Sequence, residues 1–190
     1  GTITTGEPHL TQVVPLPGWT EEELLRVVAS AERRSEHPLA SAILAGAEAR
    51  QLPLAEPEAF EALPGRGVRA RVEGRQVLVG TQRLMAEAGI ATAALHQAQE
   101  ALEAAGQTAM LVAVDGQAAG LVAVADQVKP GAAQAIGALR AMGLEIWMLT
   151  GDNVRTARSI AAQVGIEPDH VLAEVLPDQK ASQVQALKAR

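Results

Sequence analysis

The pattern of apolar and polar positions divides the chain into two regions of different grammar. A helix is predicted from Thr20. Thr20 and Glu23 have the spacing of a capping box, residues 21–23 suit the positive end of a helix dipole, and Leu24, Val27, Val28 and Ala31 fall on one stripe. A second helix is predicted with Pro38 in its first turn, running to about Gln51 ahead of Pro53. Ser35, Glu36 and His37 are left in a tight loop between the two. Alternating patterns predict strands at 67–72 and 76–79 around Glu73-Gly74-Arg75, and at 110–114 and 118–124 around Asp115-Gly116. Short helices near 82–88 and 93–105 lie between these hairpins. Before Thr20 the chain is broken by Gly6, Pro8, Pro15, Pro17 and Gly18, and no long regular element is expected there.

From Asp126 helices alternate with short apolar strands. Pro130 opens a helix ending near Gly143, residues 144–149 read as a buried strand, and a further helix runs to about Val164, closed by Gly165. A short strand near 171–175 then leads through Pro177 into a last helix. This order implies a parallel sheet with its chemistry at the carboxyl ends of the strands.

Composition narrows the function classes. With 48% hydrophobic and 20% charged residues over 190 positions, the chain can build one large or two small cores. No apolar run approaches the roughly 20 residues of a membrane helix, and no secretory signal pattern opens the sequence. The net charge of −6 and the lack of a basic patch argue against a nucleic-acid surface. There is no cysteine, so disulfides and thiolate metal sites are excluded. Aromatic residues are confined to Trp19, Phe60 and Trp147, so the cores are built from Ala, Leu and Val.

Two groups of residues can carry chemistry. Glu32, His37, Gly65, Gly67 and Gly80 combine a carboxylate, an imidazole and glycines beside a strand. A flat base can stack on the imidazole, the carboxylate can accept from an exocyclic amine, and glycines allow close approach of the backbone. Taken singly, His37 before Pro38 also reads as a helix cap, and Gly65-Arg66-Gly67 as a turn into a strand. The second group is Thr150, Gly151 and Asp152 with Lys180. A strand running into Thr-Gly-Asp offers a hydroxyl and backbone N–H groups to a phosphoryl oxygen, and a lysine can offset its charge. Asp152 or Asn153 as an ordinary helix cap is the alternative.

Read in order, the motifs are more specific. Gly1-Thr2-Ile3-Thr4 resembles the tail of the phosphorylation signature of P-type ATPases. The run from Glu32 through Ser35-Glu36-His37-Pro38-Leu39-Ala40 resembles the nucleotide-domain hallmark of their heavy-metal subclass. Pro64-Gly65-Arg66-Gly67-Val68, Val77 to Gly80, Asp126 to Pro130, Met148 to Asn153 and Leu176-Pro177-Asp178-Gln179-Lys180 follow at matching places, so the resemblance covers essentially the whole chain.

That resemblance implies an α/β fold: a truncated haloacid-dehalogenase-like phosphorylation domain with a parallel sheet, residues 1–12 and 119–190, and an inserted α+β nucleotide-binding domain, residues 13–118. It implies ATP and Mg²⁺ as ligands, and the transmembrane and actuator domains of a pump as partners at the cytoplasmic face of a membrane. Glu32, His37, Gly65 and Gly67 would line the adenosine pocket with Gly80 supporting it. Thr150 and Gly151 would hold a phosphoryl oxygen, Lys180 would offset its charge, and Asp152 would face the other domain. The complete Ser-Glu-His-Pro form leans towards copper(I) export. The resemblance also places the phosphate-accepting aspartate upstream of Gly1 and the Mg²⁺-binding aspartate segment downstream of Arg190, so the 190 residues themselves are expected to bind nucleotide without turning it over. A haloacid-dehalogenase-type phosphatase with a cap domain and a non-catalytic nucleotide sensor are the alternatives. The phosphatase gives no reason for the Ser-Glu-His-Pro run or the paired glycines.

Overall fold

The computed structural model describes residues 2–176 and 179–188. Strands β1 (His9–Pro15), β2 (Ala59–Leu63), β3 (Gly67–Val72), β4 (Arg75–Gly80), β5 (Thr108–Val114) and β6 (Gln117–Ala125) form one antiparallel sheet in the order β1-β6-β5-β4-β3-β2. Helices α1 (Glu21–Glu32) and α2 (Pro38–Ala49) cover one face, and the shorter α3 (Gln82–Glu87) and α4 (His96–Ala104) cover the other. The central strand β5 shows why the sheet needs both layers. Met110, Val112 and Val114 pack with Leu24, Val28 and Ile43, while Ala109, Leu111 and Ala113 pack with Met85, Leu95 and Leu102. A strand buried on both faces loses its polar alternation. β3 keeps it, with Val68, Ala70 and Val72 buried and Arg69 and Arg71 exposed.

The capping box forms as expected. The Glu23 N–H donates to Thr20 Oγ1 at 3.1 Å, and the Glu23 carboxylate accepts the Thr20 N–H at 3.0 Å. Three details of the first region differ from expectation. The proline-broken segment before Thr20 contains β1. It is an edge strand, and Pro15 is its last residue, where a missing N–H costs the ladder least. β2, the opposite edge, has only five residues and its exposed positions are Ala59, Glu61 and Ala62, so no apolar–polar alternation marks it. α2 ends at Ala49, with Gln51 beyond it at a positive φ of 54°.

The second region contains α5 (Ala132–Ala141), β7 (Met148–Leu149), α6 (Val154–Val164), β8 (Val171–Leu172) and α7 (Lys180–Lys188). β7 and β8 pair in parallel, and Ile136, Met148, Ile160, Val164 and Ile166 make a separate small core. The strand expected over 144–149 shrinks to two residues, because Leu144 is 50% exposed and the chain joins β8 only at Met148. The strand expected over 171–175 shrinks likewise, and α5 starts two positions after Pro130. The expected junctions at 12/13 and 118/119 fall inside β1 and β6, which pair with each other, Val14 opposite Leu121.

The chain crosses between the two regions twice, side by side. Thr4 bridges Val128, the Thr5 N–H donates to Gln127 O, and the Lys129 N–H donates to Ile3 O, both at 2.9 Å. Asp126 fastens the crossing by accepting Thr5 Oγ1–H at 2.8 Å and the Gly6 N–H at 3.1 Å. Burial opposes its charge, but the hydrogen bonds from Thr4, Thr5 and Gly6 prevail and hold its pKa below the ordinary aspartate value.

Candidate functional site

Glu32 ends α1 with a side chain almost wholly withdrawn from water, 5% exposed. Burial raises its pKa above the ordinary glutamate value, and hydrogen bonding from Ser35 offsets only part of this. No arginine or lysine pairs with Glu32 among the described residues, and desolvation of a charge costs more than one hydroxyl returns. Two turns of chain later, His37 is the N-cap of α2. Its Nδ1 accepts the Leu39 N–H at 3.2 Å, and its own N–H points to Ser35 Oγ at 3.4 Å. The cap reading of His37 is therefore correct, and it does not exhaust the residue. Capping through Nδ1 places the proton on Nε2 and fixes the plane of an imidazole that stays exposed.

The glycines have two different reasons. Gly67 and Gly80 are register partners on β3 and β4, and each is required by the backbone of the other. A Cβ on Gly67 would lie 2.0 Å from Val79 O, and one on Gly80 would lie 2.1 Å from Arg66 O. The Thr81 N–H donates to Arg66 O at 2.8 Å and closes the same corner. Gly65, at a φ of 68°, instead turns its open side to the other region, where a Cβ would meet Leu176 Cδ2 at 2.8 Å. Neither the Glu32 nor the His37 side chain makes a hydrogen bond to these glycines among the described residues.

The second group is compact. Thr150 follows β7 directly; its N–H donates to Leu172 O at 2.9 Å and its carbonyl accepts the Val175 N–H at 3.0 Å. Its hydroxyl donates to Asp152 Oδ2 at 2.8 Å and accepts the Asp152 N–H at 3.1 Å. Asn153, not Asp152, caps α6, with Oδ1 accepting the Thr156 N–H at 2.9 Å. Gly151 is exposed at the tip, and a Cβ there would sit in ordinary contact, 3.5 Å from Val175 O. Lys180 opens α7, exposed, with no hydrogen bond or ion pair to this turn among the described residues. Gly1, Pro177, Asp178 and Arg190, which belong to the expected motifs and boundaries, lie outside the described residues.

Gly65 and the Thr150 turn approach each other at Leu176, a residue of the Leu176–Lys180 motif to which no role was assigned. Leu176 lies against Gly65 on one side, and its neighbour Val175 is hydrogen-bonded to Thr150 on the other. Leu176 is 40% exposed there. Among the described residues no helix is long and apolar enough to cross a membrane. No group of three or more His, Cys, Asp or Glu side chains able to hold a metal ion is found among them either.

Comparison with known proteins agrees with this layout. A family model described as haloacid dehalogenase-like hydrolase matches residues 1–190. A copper-exporting P-type ATPase of Bacillus subtilis is 45% identical over 99% of this chain, and the match covers 23% of that protein. A crystal structure of a zinc-transporting PIB-type ATPase in the E2.Pi state superposes with a TM-score of 0.66 at 36% identity, over 100% of this chain and 30% of the other. The N-domain of HMA6, a copper-transporting P-type ATPase, matches 64% of this chain and 99% of its own length, with a TM-score of 0.52 and 27% identity. The chain spans about a quarter of the length of the curated relatives it matches. It belongs to the haloacid dehalogenase-like hydrolase family, and over its whole length it is similar to one part of much longer copper-transporting P-type ATPases.

Proposed function

We propose that this chain binds ATP for a copper(I)-exporting pump, with adenine held by the unit built on the six-stranded sheet and the terminal phosphate directed to the Thr150 turn. The observation that carries the reading is the junction at Leu176, where the Gly65 turn of one unit faces the Thr150–Asp152 turn of the other. A nucleotide spans such a junction; a small phosphorylated metabolite does not need the far side of it.

In this reading the exposed, cap-fixed imidazole of His37 stacks on the base, and the Glu32 carboxyl group recognises its amine edge. Gly65, with Leu176 on its open side, lets the backbone of its turn approach the ribose and phosphates, while Gly67 and Gly80 shape the corner behind it. Thr150 and the Gly151 N–H receive a phosphoryl oxygen, Lys180 offsets its charge, and Asp152 faces the approaching nucleotide unit. That unit includes all of β1 and β6, which moves its limits outward from 13–118 to the ends of the sheet. Mg²⁺ enters with the phosphates of the nucleotide. Copper rests on the names of the relatives at 44–47% identity, and the ion's own ligands belong to the membrane part of the pump.

Calorimetric titration with ATP, AMP-PCP and GTP tests the reading, alongside folded Glu32→Ala and His37→Ala variants. Binding that prefers adenine and is lost in both variants is the expected result. A folded wild-type chain that ignores adenine nucleotides, or variants that bind as it does, overturns the reading.

A further inference from the structure

We propose that Glu103, Gln107, Arg155 and Thr156 form an electrostatic latch that docks the sheet unit onto the start of α6 and sets the angle between the two units. The proposal does not depend on nucleotide binding.

Arg155 donates from Nη1 to Glu103 Oε2 at 2.8 Å and from Nη2 to Glu100 Oε1 at 2.9 Å. The Glu103 side chain is 5% exposed, and its second oxygen accepts from Gln99 Nε2 at 2.9 Å. Beside this pair, Thr156 Oγ1–H donates to Gln107 O at 2.6 Å, and Thr156 is itself buried and held by Asn153. Gly106 completes the contact: a Cβ there would press on Ser159 Oγ at 3.2 Å and Gln163 Nε2 at 3.3 Å.

The charges are in the wrong places for their own helices. Glu103 is next to the carboxyl end of α4, where the helix dipole disfavours an anion, and Arg155 is the second residue of α6, where it disfavours a cation. Neither supports the element it belongs to. Both are explained by the partner across the junction. Glu103 is buried at the junction and paired across it with Arg155, so separating the units would take the guanidinium away from the carboxylate. The latch closes on the residues directly behind the Thr150–Asn153 turn, so movement of the sheet unit pulls on the first turn of α6 rather than on a distant surface.

The absence of native cysteine allows a direct test. Cysteines placed at the exposed positions Glu22 on α1 and Gln134 on α5 would carry a dye pair, and the distance distribution would be read by single-molecule energy transfer. Arg155→Ala is expected to shift the population towards longer distances by several-fold, because the docked state then buries an unpaired carboxylate. Glu103→Gln with Arg155→Ala is expected to open less than Arg155→Ala alone, since the stranded charge is gone. Raising the salt concentration should shift the wild type less than the Arg155 substitution does, as the pair is half shielded from solvent. Far-UV circular dichroism confirms folding, and Glu103→Gln alone serves if Arg155→Ala fails to fold. Wild-type distance distributions in all the folded variants would overturn the latch. Equal opening in Arg155→Ala and the double variant would overturn the role of the buried carboxylate.

Discussion

Gly67 on β3 and Gly80 on β4 stand directly opposite each other with no room for a side chain on either, since a Cβ on Gly67 would come within 2.6 Å of the Gly80 Cα. The obstructing atoms are backbone, so neither strand can yield without breaking the ladder. Gly67→Ala and Gly80→Ala should each destabilise the fold by about 3 kcal/mol, at the strained end of single substitutions. The double variant should cost less than the sum, because the first substitution already opens the corner. Urea unfolding measures both. A loss under 1 kcal/mol for either single variant would mean the strands separate easily and the glycines are kept for a ligand alone.

Glu32 offers a test through the pH dependence of stability. Its folded pKa is raised, so the stability it contributes is complete below the ordinary glutamate value and is lost as pH rises through the folded one. Glu32→Gln keeps the shape and removes the titration. The variant should match the wild type near pH 4 and exceed it at pH 7.5 by about 1 kcal/mol, or about 3 °C in Tm. Thermal melts across that range decide the matter. A variant less stable than the wild type at pH 7.5 would show that the carboxylate has a charged partner supporting it.

The parts of this architecture legible in the sequence are those set by local chemistry. Thr20 and Glu23 announce α1, Pro38 announces α2, and Asn153 and Gly165 bracket α6, because each cap is satisfied within a few residues of itself. β1 is not legible because an edge strand tolerates proline and polar residues, β2 because its five residues do not alternate, and β7 is shorter than the apolar run at 144–149 because Leu144 is exposed. In the candidate site, Glu32, His37 and the glycines could be picked out by type and spacing. The split between Gly67–Gly80, which answers a backbone need, and Gly65, which faces Leu176, depends on a register that spacing does not encode. Arg155 and Glu103 carried a readable sign that went unused, each charge opposing its own helix dipole.

The cap that His37 provides and the stacking proposed for it can be separated by substitution. Asparagine is as good an N-cap as any residue but has no ring to stack. His37→Ala should lose about 1 kcal/mol of stability through the cap, whereas His37→Asn should keep it. If the ring stacks on adenine, both variants should lose ATP affinity by tenfold or more. Chemical denaturation and calorimetry on the same samples give the two numbers. Retention of binding in His37→Asn would assign the residue to helix capping alone.

The Thr150 hydroxyl is already engaged, donating to the Asp152 carboxylate at 2.8 Å, so a phosphoryl oxygen arriving there must displace an anion from its donor. If the terminal phosphate binds at this turn, as proposed, Asp152 competes with it as long as the turn keeps this geometry. Removing its charge with Asp152→Ala frees the hydroxyl and lowers local repulsion, and should strengthen ATP relative to AMP on the order of threefold at low salt. Thr150→Val should cost about 1 kcal/mol of stability, because the Asp152 N–H loses its acceptor, and should reduce the ATP-over-AMP preference; Thr150→Ser should restore both. AMP is the necessary reference, since it shares the base but not the terminal phosphates, and so separates this turn from the Glu32–His37 side of the site. An ATP-to-AMP ratio that none of the three substitutions changes would show that the terminal phosphate does not reach Thr150 in this chain, and would confine nucleotide recognition to the sheet unit.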